Sequence, residues 1–236
     1  MFNKLKGALL GYIVGDALGV PVEFKERETL KKYPICEMVG YGTHHQPAGT
    51  WSDDTSMTLA TMEWVMEGED STLQDNDLMD KFINWLTKGE YTAHGITFDY
   101  GNATAEALMR YTKEYQPYEC GGTSAQSNGN GSLMRMLPIA LWCAKNNLNE
   151  EELRQFVEKV SAFTHAHARS KMGCFLYVNI IMGLLKNDGD KKVIIQNSLN
   201  KCKAFYTQRI VEAELKELKH YERIFDVSLF QALPEL

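Results

Sequence analysis

Asn149-Glu-Glu-Glu-Leu-Arg-Gln-Phe-Val-Glu-Lys-Val160 is the stretch that decides the fold class. An Asn with Glu152 three residues on is a capping-box start. Leu153, Phe156, Val157 and Val160 then fall on one helical face. The same period recurs outward from there. Leu78, Phe82, Trp85 and Leu86 form a stripe behind an Asp75/Asn76 cap. Further helices are predicted near 55–67, 99–115, 132–146, 167–187 and 208–223. Only Val-Ile-Ile at 193–195 has a mild strand flavour. No period-2 run and no hairpin dipeptide separates apolar segments, which disfavours β and α/β architectures. The expectation is an all-α, multi-helix bundle over 1–236 as a single domain.

Composition agrees. A 44% hydrophobic share supplies a core, and 24% charged residues is ordinary for a globular chain. Twenty-five Lys+Arg against 31 Asp+Glu leave a charge of −6 and no cationic surface suited to nucleic acid. The five cysteines (Cys36, Cys120, Cys143, Cys174, Cys202) are scattered and form no C-x-x-C pair. They read as reduced thiols of a cytoplasmic protein, with neither a zinc site nor a disulfide framework. Lys4 and Lys6 before Gly7-Ala-Leu-Leu-Gly-Tyr-Ile-Val-Gly15 imitate a signal peptide, but Asp16 cuts the apolar stretch. The Gly7, Gly11, Gly15 spacing instead suits a helix packed closely against others. Phe175 to Leu185 contains Asn179 and is too short to span a bilayer, so no membrane partner is expected.

Two polar loops each lead into a helix, a common setting for a ligand site. The first, Val39 to Ser52, runs into Asp53-Asp54-Thr55. Ser52-Asp53-Asp54-Thr55 reads either as an N-cap with acidic residues on the helix dipole or as a hard-cation site offering oxygen ligands to Mg²⁺ or Mn²⁺. The second, Cys120 to Ser132, ends in Asn128-Gly-Asn-Gly-Ser-Leu-Met-Arg135. Its free N–H groups could cradle a phosphate, although it is neither a Walker A loop nor a dinucleotide fingerprint. An ordinary loop is the competing reading. His165 and His167, at i and i+2, share no helix face, and a helix-end or core role suits His165. His44-His45 has no partner at zinc spacing, and zinc is rejected.

Taken together, these segments resemble the ADP-ribosylglycohydrolase family, which includes dinitrogenase reductase-activating glycohydrolase. The resemblance rests on Gly7-Ala-Leu-Leu-Gly-x-x-x-Gly-Asp-Ala-Leu-Gly-x-Pro-x-Glu-Phe24, Gly49-Thr-Trp-Ser-Asp-Asp-Thr-Ser-Met57, Gly95-Ile-x-x-Asp-x-Gly-x-x-Thr104, Asn130-Gly-Ser-Leu-Met-Arg135 and Thr164-His165, in that order. It implies an all-α bundle and a metal-dependent hydrolase that cleaves the glycosidic bond of an ADP-ribosylated protein or small ADP-ribosyl molecule. By the resemblance, Ser52, Asp53 and Asp54 take the places of metal ligands, with Asp53 and Asp54 counted in the catalytic set. Glu23 matches the acidic residue near the scissile ribose, and Asp99 sits where a carboxylate meets the modified side chain. The Asn130, Gly131 and Ser132 backbone receives the diphosphate, and His165 lines the adenosine side.

One departure stands out. The family completes its metal centre with a C-terminal G-D-x-D-T type motif, which this chain lacks, and the resemblance therefore implies a C-terminally shortened chain. Asp188-Gly-Asp190 has part of the spacing but reads as a solvated loop. Mg²⁺ or Mn²⁺ wants about six oxygens, so two carboxylates and one hydroxyl are expected to hold at most one weakly bound ion. Two alternatives to the enzyme follow: a non-catalytic ADP-ribose-binding or structural module, and an inactive truncated product. Phe225, Leu229, Phe230 and Leu233 form an apolar C-terminal segment through which the chain is expected to self-associate or meet a partner.

Overall fold

Ten α-helices follow one another in the computed structural model, which describes residues 2–68 and 73–226. They are α1 (Phe2–Gly19), α2 (Arg27–Lys32), α3 (Asp53–Glu67), α4 (Asp75–Lys88), α5 (Asn102–Tyr111), α6 (Met136–Asn146), α7 (Glu150–Ala162), α8 (Ala168–Lys186), α9 (Lys191–Arg209) and α10 (Glu212–Leu218). No strand occurs among the described residues, and one isolated bridge pairs Gly122 with His165. The all-α expectation is met.

The expected capping box opens α7. Asn149 Oδ1 accepts from the N–H groups of Glu151 and Glu152, and Glu152 Oε2 accepts from the Asn149 N–H at 2.9 Å. Two orphan donors of the helix and the N–H of the cap residue are thus satisfied locally. α8 is apolar over most of its surface and packs on α6, α7, α9 and α10, as expected of a central helix. Asn179 lies buried within it and turns its amide back to the Phe175 carbonyl at 2.9 Å. α3 packs on α4 and α6, with Trp64, Phe82, Trp85, Phe163, Phe175 and Tyr206 filling the core between these layers.

Several expectations need correcting. The helix expected over 99–115 is Asn102–Tyr111, because Asp99 takes a left-handed backbone (φ 51°) that ends any helix there. The helix expected over 208–223 is divided at Ile210, also left-handed, with α9 ending before it and α10 beginning at Glu212. Val-Ile-Ile at 193–195 lies in the first turn of α9, where Asp190 accepts from the Val193 N–H and fixes the helix start. At α4 the N-cap position is Gln74, and Asp75 already belongs to the first turn. Phe225 is buried in the core, its carbonyl held by Gln196. Leu229, Phe230 and Leu233 lie outside the described residues.

α1 forms as expected but packs differently. An added Cβ at Gly7, Gly11 or Gly15 would meet nothing within 4 Å, so the glycines face open space and do not mediate close helix packing. By length and composition α1 is also apolar enough to cross a membrane. Three polar side chains tie it to the rest of the chain. Lys4 donates to the Leu184, Leu185 and Asn187 carbonyls, covering the open end of α8. Tyr12 donates to the Met134 carbonyl at 2.7 Å.

Asp16 makes the third tie. Its carboxylate accepts from the Ser52 N–H, the Ser52 hydroxyl (2.8 Å) and the Thr55 N–H (3.0 Å). A side chain from α1 thus satisfies the orphan donors at the start of α3 and lies at the positive end of its dipole. Asp16→Ala leaves the buried Thr55 N–H unpaired and is expected to cost about 2 kcal/mol. Urea unfolding at pH 5, where Asp53 and Asp54 hold their protons, checks this free of relieved charge repulsion; an unchanged midpoint would refute the tie.

Candidate active site

The first turn of α3 builds the centre of the site. Trp51 anchors its approach by donating to the Tyr91 carbonyl at 3.0 Å, and Ser52 takes the extended N-cap conformation. The Ser52 hydroxyl donates to Asp16 and accepts from the Asp54 N–H. Both readings of the motif therefore meet in one place: Ser52 is an N-cap, and Asp53 and Asp54 project from the first turn into a cavity of about 590 Å³. Glu23, which follows the short helical turn Val20–Val22, and Asp99 line the same cavity. The four expected carboxylates are thus gathered on one hollow.

Their electrostatics follow from crowding. Burial, then the charges of Asp54, Asp99, Asp16 and Glu23, push the Asp53 carboxyl up to about 8. Burial and the charges of Asp16, Asp99 and Glu23 push Asp54 up to about 6. Glu23 is raised by burial and by Asp99, against an opposing hydrogen bond from His44. The lining carries no Lys or Arg among the described residues. A group of oxygen donors whose protons are held by mutual repulsion suits a hard divalent cation, which would supply the missing positive charge. Asp53 and Asp54 are the residues that would hold it, with one Ser52 lone pair still free. A second possible ligand group, Glu23, His44 and Asp99, brings three ligand atoms within 4.8 Å of one another. His44 thus has partners that spacing in the chain did not reveal.

The second polar loop lies beside this cavity. Tyr12 and Asp54 are shared with an adjoining hollow of about 220 Å³ lined by Asn130 and Gly131. Asn130, Leu133 and Tyr177 are shared in turn with a more apolar cavity of about 400 Å³ closed by Tyr221, His220 and Arg169. A continuous groove therefore runs from the carboxylates, past the glycine loop, to an apolar end.

Ser132 and His165 support the loop from behind. The Ser132 hydroxyl is fully buried and pairs with Ser161 (2.8 Å) and Cys174 (3.2 Å). The His165 ring is buried, pairs through Nδ1 with the Thr164 hydroxyl at 2.7 Å, and lies directly under Gly131. Burial and the nearby Arg135 charge push its pKa down to about 4, so the ring is neutral at pH 7. What the loop offers a ligand is its backbone: the N–H groups of Gly129, Asn130 and Gly131 meet no acceptor among the described residues. Arg135, fully buried, stacks on Phe82 and donates to the Val160 carbonyl at 3.0 Å, fixing the loop to the end of α7.

Asp16, Tyr12, His44 and Arg135 are the contributors that sequence reasoning missed. Asp16 carried a signal, a lone acid inside an apolar stretch. His44 carried none that spacing could expose.

Comparison with known proteins places the chain. ADP-ribosylarginine hydrolase Tri1 of Serratia proteamaculans is 32% identical over 194 residues, covering 80% of this chain and 49% of that protein. ADP-ribosyl-dinitrogen reductase glycohydrolase of Rhodospirillum rubrum is 32% identical over 194 residues, covering 80% and 60%. ADP-ribosylhydrolase ARH3 of Xenopus tropicalis is 20% identical over 238 residues, covering 98% and 65%. The chain spans about half the length of the two Tri1 relatives it matches. The ADP-ribosylglycohydrolase model matches residues 1–233, and together with the 32% identity to the Tri1 and dinitrogen reductase enzymes this shows that the chain belongs to the ADP-ribosylglycohydrolase family.

Proposed function

We infer that the groove binds an ADP-ribosyl group attached to a protein arginine and that the chain hydrolyses the bond between that ribose and the side-chain nitrogen. The observation that carries this reading is the order of surfaces along one groove. A carboxylate cavity, a loop of unpaired N–H groups and an apolar end adjoin through Asp54 and Asn130. The arginine named in the Tri1 relative supports the linkage.

Each surface matches part of such a substrate. Unpaired backbone N–H groups at Gly129 to Gly131 suit a diphosphate, and Tyr177 and Tyr221 offer ring surfaces to adenosine. Breaking the glycosidic bond builds positive charge on the ribose, which Glu23 and Asp99 are placed to offset. Glu23, with its raised carboxyl, is the group to exchange a proton with the attacking water. A Mg²⁺ or Mn²⁺ ion at Asp53 and Asp54, one ion weakly held, would supply Lewis acidity at the ribose hydroxyls.

The direct test is release of ADP-ribose from mono-ADP-ribosylated arginine protein with Mg²⁺ or Mn²⁺. The Asp53→Asn, Asp54→Asn double variant is expected to lose at least about 100-fold in turnover. Surviving activity would remove the carboxylates from the mechanism. Binding of ADP-ribose without turnover in the wild type would favour a binding module instead.

Gly131→Ala tests the diphosphate end. Its Cβ would stand 2.9 Å from His165 Cε1, so the loop must move off the ring. Calorimetry is expected to show ADP-ribose affinity falling about tenfold or more, since the N–H groups no longer converge. Unchanged affinity would place the diphosphate elsewhere.

Stability should report the cation. Asp53 carries a folded pKa of about 8, well above the ~3.9 of an unfolded Asp. Its contribution is fully present below pH ~4 and is lost as pH rises through about 8. Metal-free protein should therefore melt at lower temperature at pH 8.5 than at pH 5.5, and Mg²⁺ or Mn²⁺ should raise Tm by a few degrees mainly at the higher pH. Equal metal shifts at both pH values would argue against cation binding at Asp53.

A further inference from the structure

His44 joins two turns that each present a carboxylate to the cavity. Its Nε2 lies 2.6 Å from Glu23 Oε2 and 3.6 Å from Asp99 Oδ2. The shorter contact is a hydrogen bond, which Nε2 donates when Glu23 is ionised, and the longer one is a charge contact beyond hydrogen-bond reach. The 2.6 Å separation is that of a hydrogen bond; two ligands of one metal ion at about 2.1 Å each would stand roughly 3 Å apart. The ring is flanked by Phe24 and Phe98, at 6.0 and 5.5 Å between centroids, so its plane is set by packing.

The two turns need such a link. Phe24, next to Glu23, has φ 62°, and Asp99 has φ 51°. Left-handed backbone at residues other than glycine is costly and persists only where surrounding contacts hold it. No hydrogen bond joins the Glu23 turn to the Asp99 turn at the backbone among the described residues. The loop that carries His44 is, by contrast, fixed to the Glu23 turn without the ring. Thr43 donates from its N–H to the Pro21 carbonyl at 3.1 Å and from its hydroxyl to the Glu23 carbonyl at 2.7 Å. A Cβ on Gly42 would run into the Pro21 carbonyl, so the two backbones are in contact. Removing the imidazole therefore leaves the loop in place and leaves Glu23 and Asp99 only the hydrogen bond between their own carboxyls.

We propose that His44 is a positioning residue for the hydrolysis: its ring, bonded to Glu23 and in charge contact with Asp99, keeps the two acids as a pair facing the substrate's scissile ribose. The proposal rests on the glycohydrolase reading for its kinetic consequence, and its structural core is measurable without turnover. His44 bonds to Glu23, lies beside Asp99 and touches no reacting atom, so its loss slows the chemical step and leaves ADP-ribose binding at the far end of the groove intact.

Two measurements on the full chain test this. Histidine-selective ¹⁵N NMR is expected to show a His44 Nε2–H resonance that moves in Glu23→Gln and, less, in Asp99→Asn. A resonance insensitive to both substitutions would overturn the coupling. In the ADP-ribose release assay, His44→Ala is expected to lower kcat about 10- to 100-fold with KM changed less than about threefold. His44→Gln, whose amide nitrogen can reach the Nε2 position, should restore most of the rate, and His44→Asn, whose amide ends near Nδ1, should not. Equal losses in Gln and Asn, or losses that track a fall in Tm, would assign His44 a merely structural role. A wild type that releases no ADP-ribose would defeat the glycohydrolase reading, while the NMR result still decides the pairing.

Discussion

The Asp16 carboxylate at the start of α3 is the constraint on which the site depends. A helix begins with orphan N–H groups and a positive dipole end. Here two of those donors, with the Ser52 hydroxyl, are taken by an acid from another helix. The same three bonds therefore cap α3, hold α1 against it and set the direction in which Asp53 and Asp54 leave the first turn. A local N-cap alone would have done the first of these and not the others. The arrangement has an electrostatic cost. It adds a carboxylate to a place already holding two, and the raised Asp53 and Asp54 carboxyls express that crowding. The contact that fixes the structure thus also concentrates negative charge at the start of α3.

Elements whose information is local were legible in the chain. The Asn149–Glu152 cap and the stripe after it became α7 as read, since cap, propensity and apolar period agree within a few residues. The ends of α5 and α9 were not. Asp99 and Ile210 break those helices through left-handed backbones; Asp tolerates that region without requiring it, and β-branched Ile is disfavoured there. In the site, Asp53 and Asp54 were visible through the run of oxygen-bearing side chains from Ser52 to Thr55 and its match to the family's motif. Asp16 read as an interruption of an apolar run, because its donors lie 36 and 39 residues further along. His44 meets Glu23 at 21 residues' separation through loop geometry, which no periodicity encodes.

The glycines of α1 teach a related lesson. Their four-residue spacing fits close helix packing, yet Gly11, Gly15 and Gly19 line the carboxylate cavity and nothing lies near their Cα atoms on the open side. The spacing rule identified the correct face and assigned it the wrong purpose. Side chains there would occupy the hollow that Asp53, Asp54 and Glu23 address. The absence of side chains makes room, and the cavity wall on that side is helix backbone.

Charge along the groove then sets direction. At one end the acids repel an anion and attract a cation; in the middle the Gly129–Gly131 N–H groups favour an anion; at the far end Arg169 and His220 stand beside apolar rings. On the proposed reading the substrate carries the complementary order: a cationic arginine linkage, a diphosphate and an aromatic base. Reversed, it would bring its diphosphate against the carboxylate cavity, where like charges repel. Orientation is therefore secured mainly by repulsion at the wrong end. On that reading the scissile ribose would be brought to Glu23 and Asp99 by contacts made elsewhere along the groove, and the reacting groups would need only to be held together, the task proposed for His44.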